Sequence, residues 1–370
     1  MAVKPENEAE LSAAVAGARG PLRVQGGGTR GVQGAGELLE TVGLAGIDLY
    51  EPGALTLVAG AGTPLAEIKA ALEAEGQRLA FEPMDHRGLM GTGGEPTIGG
   101  VVAANVSGPR RIQVGACRDH LLGVRFVDGT GQVIRNGGRV MKNVTGYDLV
   151  KLMAGSWGTL GVLSQVSLKV LPKPETQTTL AVEIADVGTA VRALSAALGS
   201  PFEVSGAAHA EGQAMVRIDG FDGSVSYRAG RLAEVLAPFG AVREVADGAA
   251  LWTGIRDVSA FHGVPGDVWR ISVKPGDTAA AVAGFGTGRI VLDWGGGLIW
   301  ALVPEGTDLR ARLNVPGHAT LVRASAGIRA RIGMFHPEPA PLARIAEGLR
   351  ARFDPRGIFN PGLMSAPAEA

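Results

Sequence analysis

The sequence predicts an α+β protein in two parts. Apolar residues alternate in GVLSQVSLKVLP (161–172) and recur at helical spacing in VGTAVRALSAALGS (187–200). A proline- and lysine-bearing stretch, LPKPET (171–176), marks a boundary after which the pattern changes. There is no internal repeat and no low-complexity tract.

The elements follow in order. ENEAELSAAVA (6–16) reads as a short helix closed by Gly17, and PLRVQ (21–25) as a strand running into GGGT (26–29). ALTLVAG (54–60) is a strand and LAEIKAALEAE (65–75) a helix. Thr63 is the predicted N-cap of that helix, Pro64 suits its first position, and Gly76 stops it. GVRFVD (123–128) and QVIRN (132–136), joined by a glycine-rich turn, predict a hairpin. YDLVKLMA (147–154) makes one to two helical turns after a tight turn holding Asn143, Gly146, Tyr147 and Asp148. GVLSQVSLKVLP (161–172) is a strand closing at Pro172. Beyond the boundary, 178–186, 211–220, 268–275 and 298–304 read as strands, and 187–200 and 225–240 as helices. A last helix (340–354) leads into PRGIFNPG (355–362).

Composition bounds the function. Of 370 residues, 46% are hydrophobic and 19% charged, a globular balance with material for buried cores. Lys and Arg total 35 against 36 Asp and Glu, so the chain lacks the basic excess of a nucleic-acid or anionic-membrane binder. The single cysteine, Cys117, excludes an internal disulfide and a cysteine metal cluster. MAVKPENEAELSAAVAG has no basic stretch followed by an apolar block, and no run reaches about 18 apolar residues. A cytoplasmic location is expected. The histidines (His86, His120, His209, His262, His318 and His336) show no metal-ligand spacing, so no metal site is expected.

The 57 glycines point to chemistry at the backbone. GAGTPL (60–65) is an incomplete dinucleotide fingerprint, because Leu65 stands at the third glycine, and is better read as a strand-to-helix turn. QGGGT (25–29) is either an anion nest or an ordinary loop. GGEPTIGGVVAANVSGPRR (93–111) keeps its backbone bare until Arg110 and Arg111. That suits a planar ring lying on main-chain N–H groups, or close strand packing in a buried sheet. GSWGTLG (155–161) is a further glycine-rich turn.

Taken together, QGGGT, TIGGVVAANVSGPRR, CRDHLLGVRFVDGTG, KNVTGYDLVKLMAGSWGTLGVLSQVSLKVLP and the closing FDPRGIFNPG resemble the vanillyl-alcohol oxidase and p-cresol methylhydroxylase (PCMH) family of flavoproteins. Within it, GTPLAEIKAALEAEGQRLAFEP, GGRVMKNVTGYDL and PGHATLVRA look like the FAD-binding subunits of bacterial 2-hydroxy-acid oxidising complexes. The likeness is good over 1–172 and about 310–365, and weak across 175–310. It implies a PCMH-type FAD-binding domain of two subdomains (1–172), a smaller α+β cap (173–330) and a C-terminal segment (331–370) returning to the FAD domain.

The resemblance places Gln25, Gly26, Gly27, Gly28 and Thr29 at the pyrophosphate, and Gly99, Gly100, Ala103, Asn105 and Gly108 along the flavin. It places Gly115 and Asp119 at the flavin–ribityl border, and Gly158, Gly161 and Val162 at the adenine side. It leaves Arg110 and Arg111 facing the diphosphate, a substrate carboxylate or a partner, and brings His318 and His336 toward the flavin. GGGTR has no histidine for a covalent bond, and Arg118 replaces the proline that accompanies a flavin-bonded cysteine, so non-covalent FAD is implied. No catalytic base is readable. The implied activity is a flavin-dependent oxidoreductase subunit. It would pass electrons from glycolate or D-lactate to a catalytic flavoprotein subunit and an iron–sulfur subunit, cytoplasmic or held at the inner membrane face through them. A stand-alone oxidase and a non-catalytic structural subunit are the alternatives.

Overall fold

The α+β prediction holds in the computed structural model, which describes residues 2–32, 34–139, 146–286 and 288–364. Asn143 and most of the MKNVTG turn lie outside the described residues. The chain divides into two compact units: the first takes residues up to Ser107 with Gly115–Lys173 and Glu338–Leu363, the second Gly108–Val114 with Pro174–Pro337.

The first unit carries a five-stranded antiparallel sheet in the order Ile47–Glu51, Thr56–Gly60, Val162–Lys169, Leu121–Val127, Val133–Gly137. Beside it, Leu22–Gln25 pairs in parallel with Glu37–Glu40. The helix Glu8–Gly17 starts where the Asn7 side chain accepts from Glu10 N–H (2.9 Å). It turns Leu11 and Val15, four apart, into a core with Leu22, Leu39, Val127, Ile358 and Phe359. The C-terminal segment is stitched to the first strand at both sides: Leu22 N–H donates to Ile358 C=O (2.7 Å) and Asn360 N–H to Leu22 C=O (2.9 Å).

Three local expectations change. Thr63 does not cap the helix Leu65–Ala74; its hydroxyl bonds the carbonyls of Gly60 (2.7 Å) and Gly46 (3.0 Å), and Pro64 takes the cap position. The strand expected over 161–172 ends at Lys169, and Leu171–Pro172 pairs separately with Gln77–Arg78. Ile98–Ala103, within the bare stretch, is a short helix capped by Thr97, which accepts from Gly100 N–H (3.3 Å), so strand packing is not its role.

The second unit is an eight-stranded antiparallel sheet, ordered Val242–Glu244, Thr176–Glu183, Gln213–Gly220, Gly206–Ala210, Arg289–Asp293, Leu298–Val303, Asp267–Val273, Gly317–Arg323. The helices Val187–Leu198 and Asp222–Leu236 bury Leu194 and Leu232 with Val216 and Ile218 in one core. A second core surrounds Trp269, Ile271, Ile299 and Leu321. Gly108–Val114 packs into this unit, with Ile112 against the first of these cores.

In that placement Gly108 and Arg110 both have partners within the second unit. The carbonyl of Gly108 accepts from Trp294 Nε1–H (3.0 Å). The Arg110 side chain is 1% exposed and ion-paired with Asp219 on the strand Gln213–Gly220. Taking a guanidinium out of water is costly unless its charge is compensated, and Asp219 compensates Arg110 inside the unit. Removing Asp219 takes that compensation from a buried charge. Asp219→Ala is expected to cost about 3–5 kcal/mol in urea-unfolding free energy; a loss below about 1 kcal/mol would show that the pair is not what anchors this segment.

Candidate functional site

The first unit contains a cleft with about 970 Å³ of empty space, open solvent at its mouth included. Three glycine-bearing segments and the C-terminal segment meet there.

The first is the loop Gly26–Thr29, which leaves the strand Leu22–Gln25. A Cβ on Gly27 would overlap the carbonyl oxygen of Glu95, and Gly28 has φ +71°, a conformation that L side chains rarely adopt. Main chain therefore lies directly on main chain, and only glycine permits it. The second segment is the helix Ile98–Ala103. Gly100 presents its missing side chain to the cleft. A Cβ there would stand 3.2 Å from Thr97 Oγ1 and 3.5 Å from Arg30 Nη1, with no backbone in the way. The third is Ser156–Gly158, tied to the helix by Trp157 N–H donating to Ala103 C=O (2.9 Å). Asn360 locks the arrangement: its side chain accepts from Val24 N–H (2.8 Å) and donates to Trp157 C=O (2.9 Å).

The polar groups in the cleft are incompletely satisfied. Arg30 makes no ion pair among the described residues, and its buried Nε has no hydrogen-bond partner. Its guanidinium carbon lies 5.8 Å from the Trp157 ring centroid. Burial pushes its pKa down to about 10, so it is still a cation at neutral pH. The buried Ser156 Oγ also lacks a partner. A cationic fork, an idle hydroxyl and glycine walls make a receptor for an anion joined to a flat, extended molecule.

Of the residues singled out in the sequence, Gln25, Gly26, Gly27, Gly28, Thr29, Gly99, Gly100, Ala103, Gly158 and Gly161 line this cleft. Five do not. Asn105 (φ +49°) turns its side chain to accept from Arg118 N–H (2.9 Å). Asp119 accepts from Ala116 N–H (2.8 Å), and Gly115 (φ +88°) makes room beside it. Val162 is buried in the hydrophobic core. Gly108 belongs to the second unit. Arg30, Thr97, Ser156, Trp157 and Asn360 line the cleft without having been singled out. Arg30 follows the glycine loop directly and Asn360 sits in the quoted FNPG, so those two had a local signal.

His318 and His336 lie in the second unit with ring centroids 5.3 Å apart, and Arg111 stacks on Trp294 there. Among the described residues no group of three or more His, Cys, Asp or Glu could hold a metal ion.

Residues 1–137 match the family described as an FAD binding domain. The chain is 38% identical to glycolate oxidase subunit GlcE of Escherichia coli, over 94% of this chain and 93% of that protein. It is 32% identical to a D-lactate dehydrogenase of Archaeoglobus fulgidus, over 49% of this chain and 41% of that one. The solved structure of alkyldihydroxyacetonephosphate synthase superposes with a TM-score of 0.70 at 14% identity, covering 98% of this chain and 77% of the other, which supports the fold.

Cys117, near this cleft, is fully buried, and burial pushes its pKa up to about 12. The thiol therefore stays protonated and poorly nucleophilic at neutral and mildly alkaline pH. In the folded protein at about pH 8 it is expected to react with an aromatic disulfide reagent only as fast as the chain opens. Labelling at the rate of a free thiol would contradict this environment.

Proposed function

Because the chain belongs to the family of glycolate oxidase subunit GlcE, we propose that it is the FAD-binding subunit of a 2-hydroxy-acid oxidoreductase and holds FAD non-covalently in the cleft of its first unit. The observation that carries this reading is the unpaired Arg30 beside the unsatisfied Ser156, on walls of glycine. Those residues fit the cofactor: an unpaired guanidinium suits a diphosphate, and bare main chain suits a flat ring.

The chain's own residues divide the work. Arg30 and the N–H groups of Gly26–Thr29 hold the diphosphate. Gly99, Gly100 and Ala103 would form the wall for the ring system, with Trp157 lining the same cleft. Asn360 keeps the loops in register before the cofactor arrives, so little ordering is left to binding. Bound FAD supplies the two-electron chemistry at a CH–OH group. In this reading the substrate is glycolate or D-lactate, and electrons leave through a catalytic flavoprotein subunit and an iron–sulfur subunit. One cysteine is too few to ligate such a cluster in this chain. No helix among the described residues is long and apolar enough to cross a membrane, so the proposed location is cytoplasmic, with contact to the membrane face made by partners.

Two substitutions test the site. Gly100→Leu fills the wall without meeting backbone, so it is expected to abolish FAD retention while the melting temperature of the FAD-free protein stays within a few degrees of wild type. Arg30→Gln removes the charge and is expected to weaken FAD binding about tenfold to a hundredfold. The readout is FAD released per chain on denaturation, with titration of FAD into the apoprotein. Wild-type FAD content in both variants would sink the assignment.

A further inference from the structure

The second unit holds a cationic cluster that the FAD cleft does not use. Trp294 sits at a break between the strands Arg289–Asp293 and Leu298–Val303, with φ +55°, a conformation a bulky residue holds only where its surroundings impose it. Two guanidiniums stack on its ring: the guanidinium carbon of Arg111 is 4.6 Å from the centroid and that of Arg270 is 5.1 Å. Arg270 projects from the strand Asp267–Val273, and among the described residues its side chain makes neither a hydrogen bond nor an ion pair.

The neighbouring strand Gly317–Arg323 pairs with this one, Thr320 opposite Arg270 and His318 opposite Ser272, so His318 shares the face of Arg270. The His318 pKa is held below its ordinary value by burial, then by His336, Arg270 and Arg310, so its ring is neutral near pH 7. Arg310 is committed elsewhere, donating to the carbonyls of Ala319 (3.0 Å) and Met334 (2.6 Å). The nearby carboxylates are Asp293, which already accepts from Trp294 N–H (2.7 Å), and Asp308. Arg270 thus feels the like charge of Arg111 as well as the opposite charge of Asp293. Two like charges held on one ring, with one of them unbonded, form an arrangement that an anion would stabilise.

We infer that Arg270, with Arg111 and the Trp294 ring between them, binds the carboxylate of a small hydroxy acid in the second unit, with His318 on the same sheet face as partner for the hydroxyl. The ligand class rests on the proposed function; the anion site rests on these residues alone. It gives Arg111 the carboxylate-facing role left open in its sequence reading.

The test is calorimetric titration of the full-length, FAD-supplied chain with glycolate, with ethylene glycol as the uncharged analogue and inorganic phosphate as a generic anion. Wild type is expected to bind glycolate at least tenfold more tightly than either. Arg270→Gln is expected to weaken glycolate binding at least tenfold at unchanged FAD content, and Arg270→Lys, which keeps the charge without the fork, to fall between. Glycolate binding that ignores Arg270→Gln, or phosphate binding as tightly as glycolate, would overturn the inference. Should Arg270→Gln fail to fold, Arg270→Lys carries the site-specific comparison, and glycolate binding unchanged in it would overturn the inference. Arg270-dependent glycolate binding in a chain that retains no FAD would remove the flavin reading and leave this one standing. FAD retention without glycolate binding would do the reverse.

Discussion

The first unit depends on main chain lying against main chain at Gly27 and Glu95. No side chain fits between them, so the loop after the first strand and the segment leading into Ile98–Ala103 are pressed together along bare backbone. Everything in the cleft follows from that approach. Thr97 can cap the short helix, Gly100 faces open space, and Arg30 is drawn toward the wall at Gly100. Asn360 then closes the set from the far end of the chain by bonding both Val24 and Trp157. The two loops are thereby positioned by a scaffold, which is the usual requirement for a preorganised binding site.

The polar groups divide in an instructive way. Where the protein buries a charge for its own fold, it supplies a partner, as Asp219 does for Arg110. Where it leaves one without, as at Arg30 and Arg270, the residue sits by a cleft or on an aromatic face. Burial pushes both guanidiniums down to about 10, and both remain cations at neutral pH. Incompletely satisfied polar groups are uncommon in folded proteins, and they concentrate where a ligand completes them.

Much of this was legible in the sequence. Long elements with clean periodicity, such as Leu65–Ala74, Val187–Leu198 and Gln213–Gly220, announce themselves. So do the glycine loops, because repeated glycines have few purposes other than tight turns and close approach. The misses have physical causes. Gly206–Ala210 is a strand made of GAAHA, with no β-branched residue; pairing on both edges, with Gln213–Gly220 and Arg289–Asp293, overrides its weak propensity. Gly108–Val114 reads as a continuation of the bare stretch, yet the Arg110–Asp219 pair commits it to the second unit, through a partner 109 residues away that no local pattern reveals. Asn105 and Asp119 accept from nearby backbone N–H groups, a local bond that the sequence pattern does not reveal. An unpaired arginine such as Arg30 is visible only when every possible partner has been placed.

The central claim is that one cleft, built from three glycine-bearing segments, receives FAD. Hydrogen–deuterium exchange on the apoprotein, with and without added FAD, tests it most directly, because it reads location without requiring turnover. The account predicts slowed exchange in Gln25–Arg30, in Thr97–Ala104 and in Ser156–Gly158 together, with the strand pair Leu121–Val127 and Val133–Gly137 unchanged. Slowed exchange centred on that strand pair, or none in the glycine segments at saturating FAD, would contradict it.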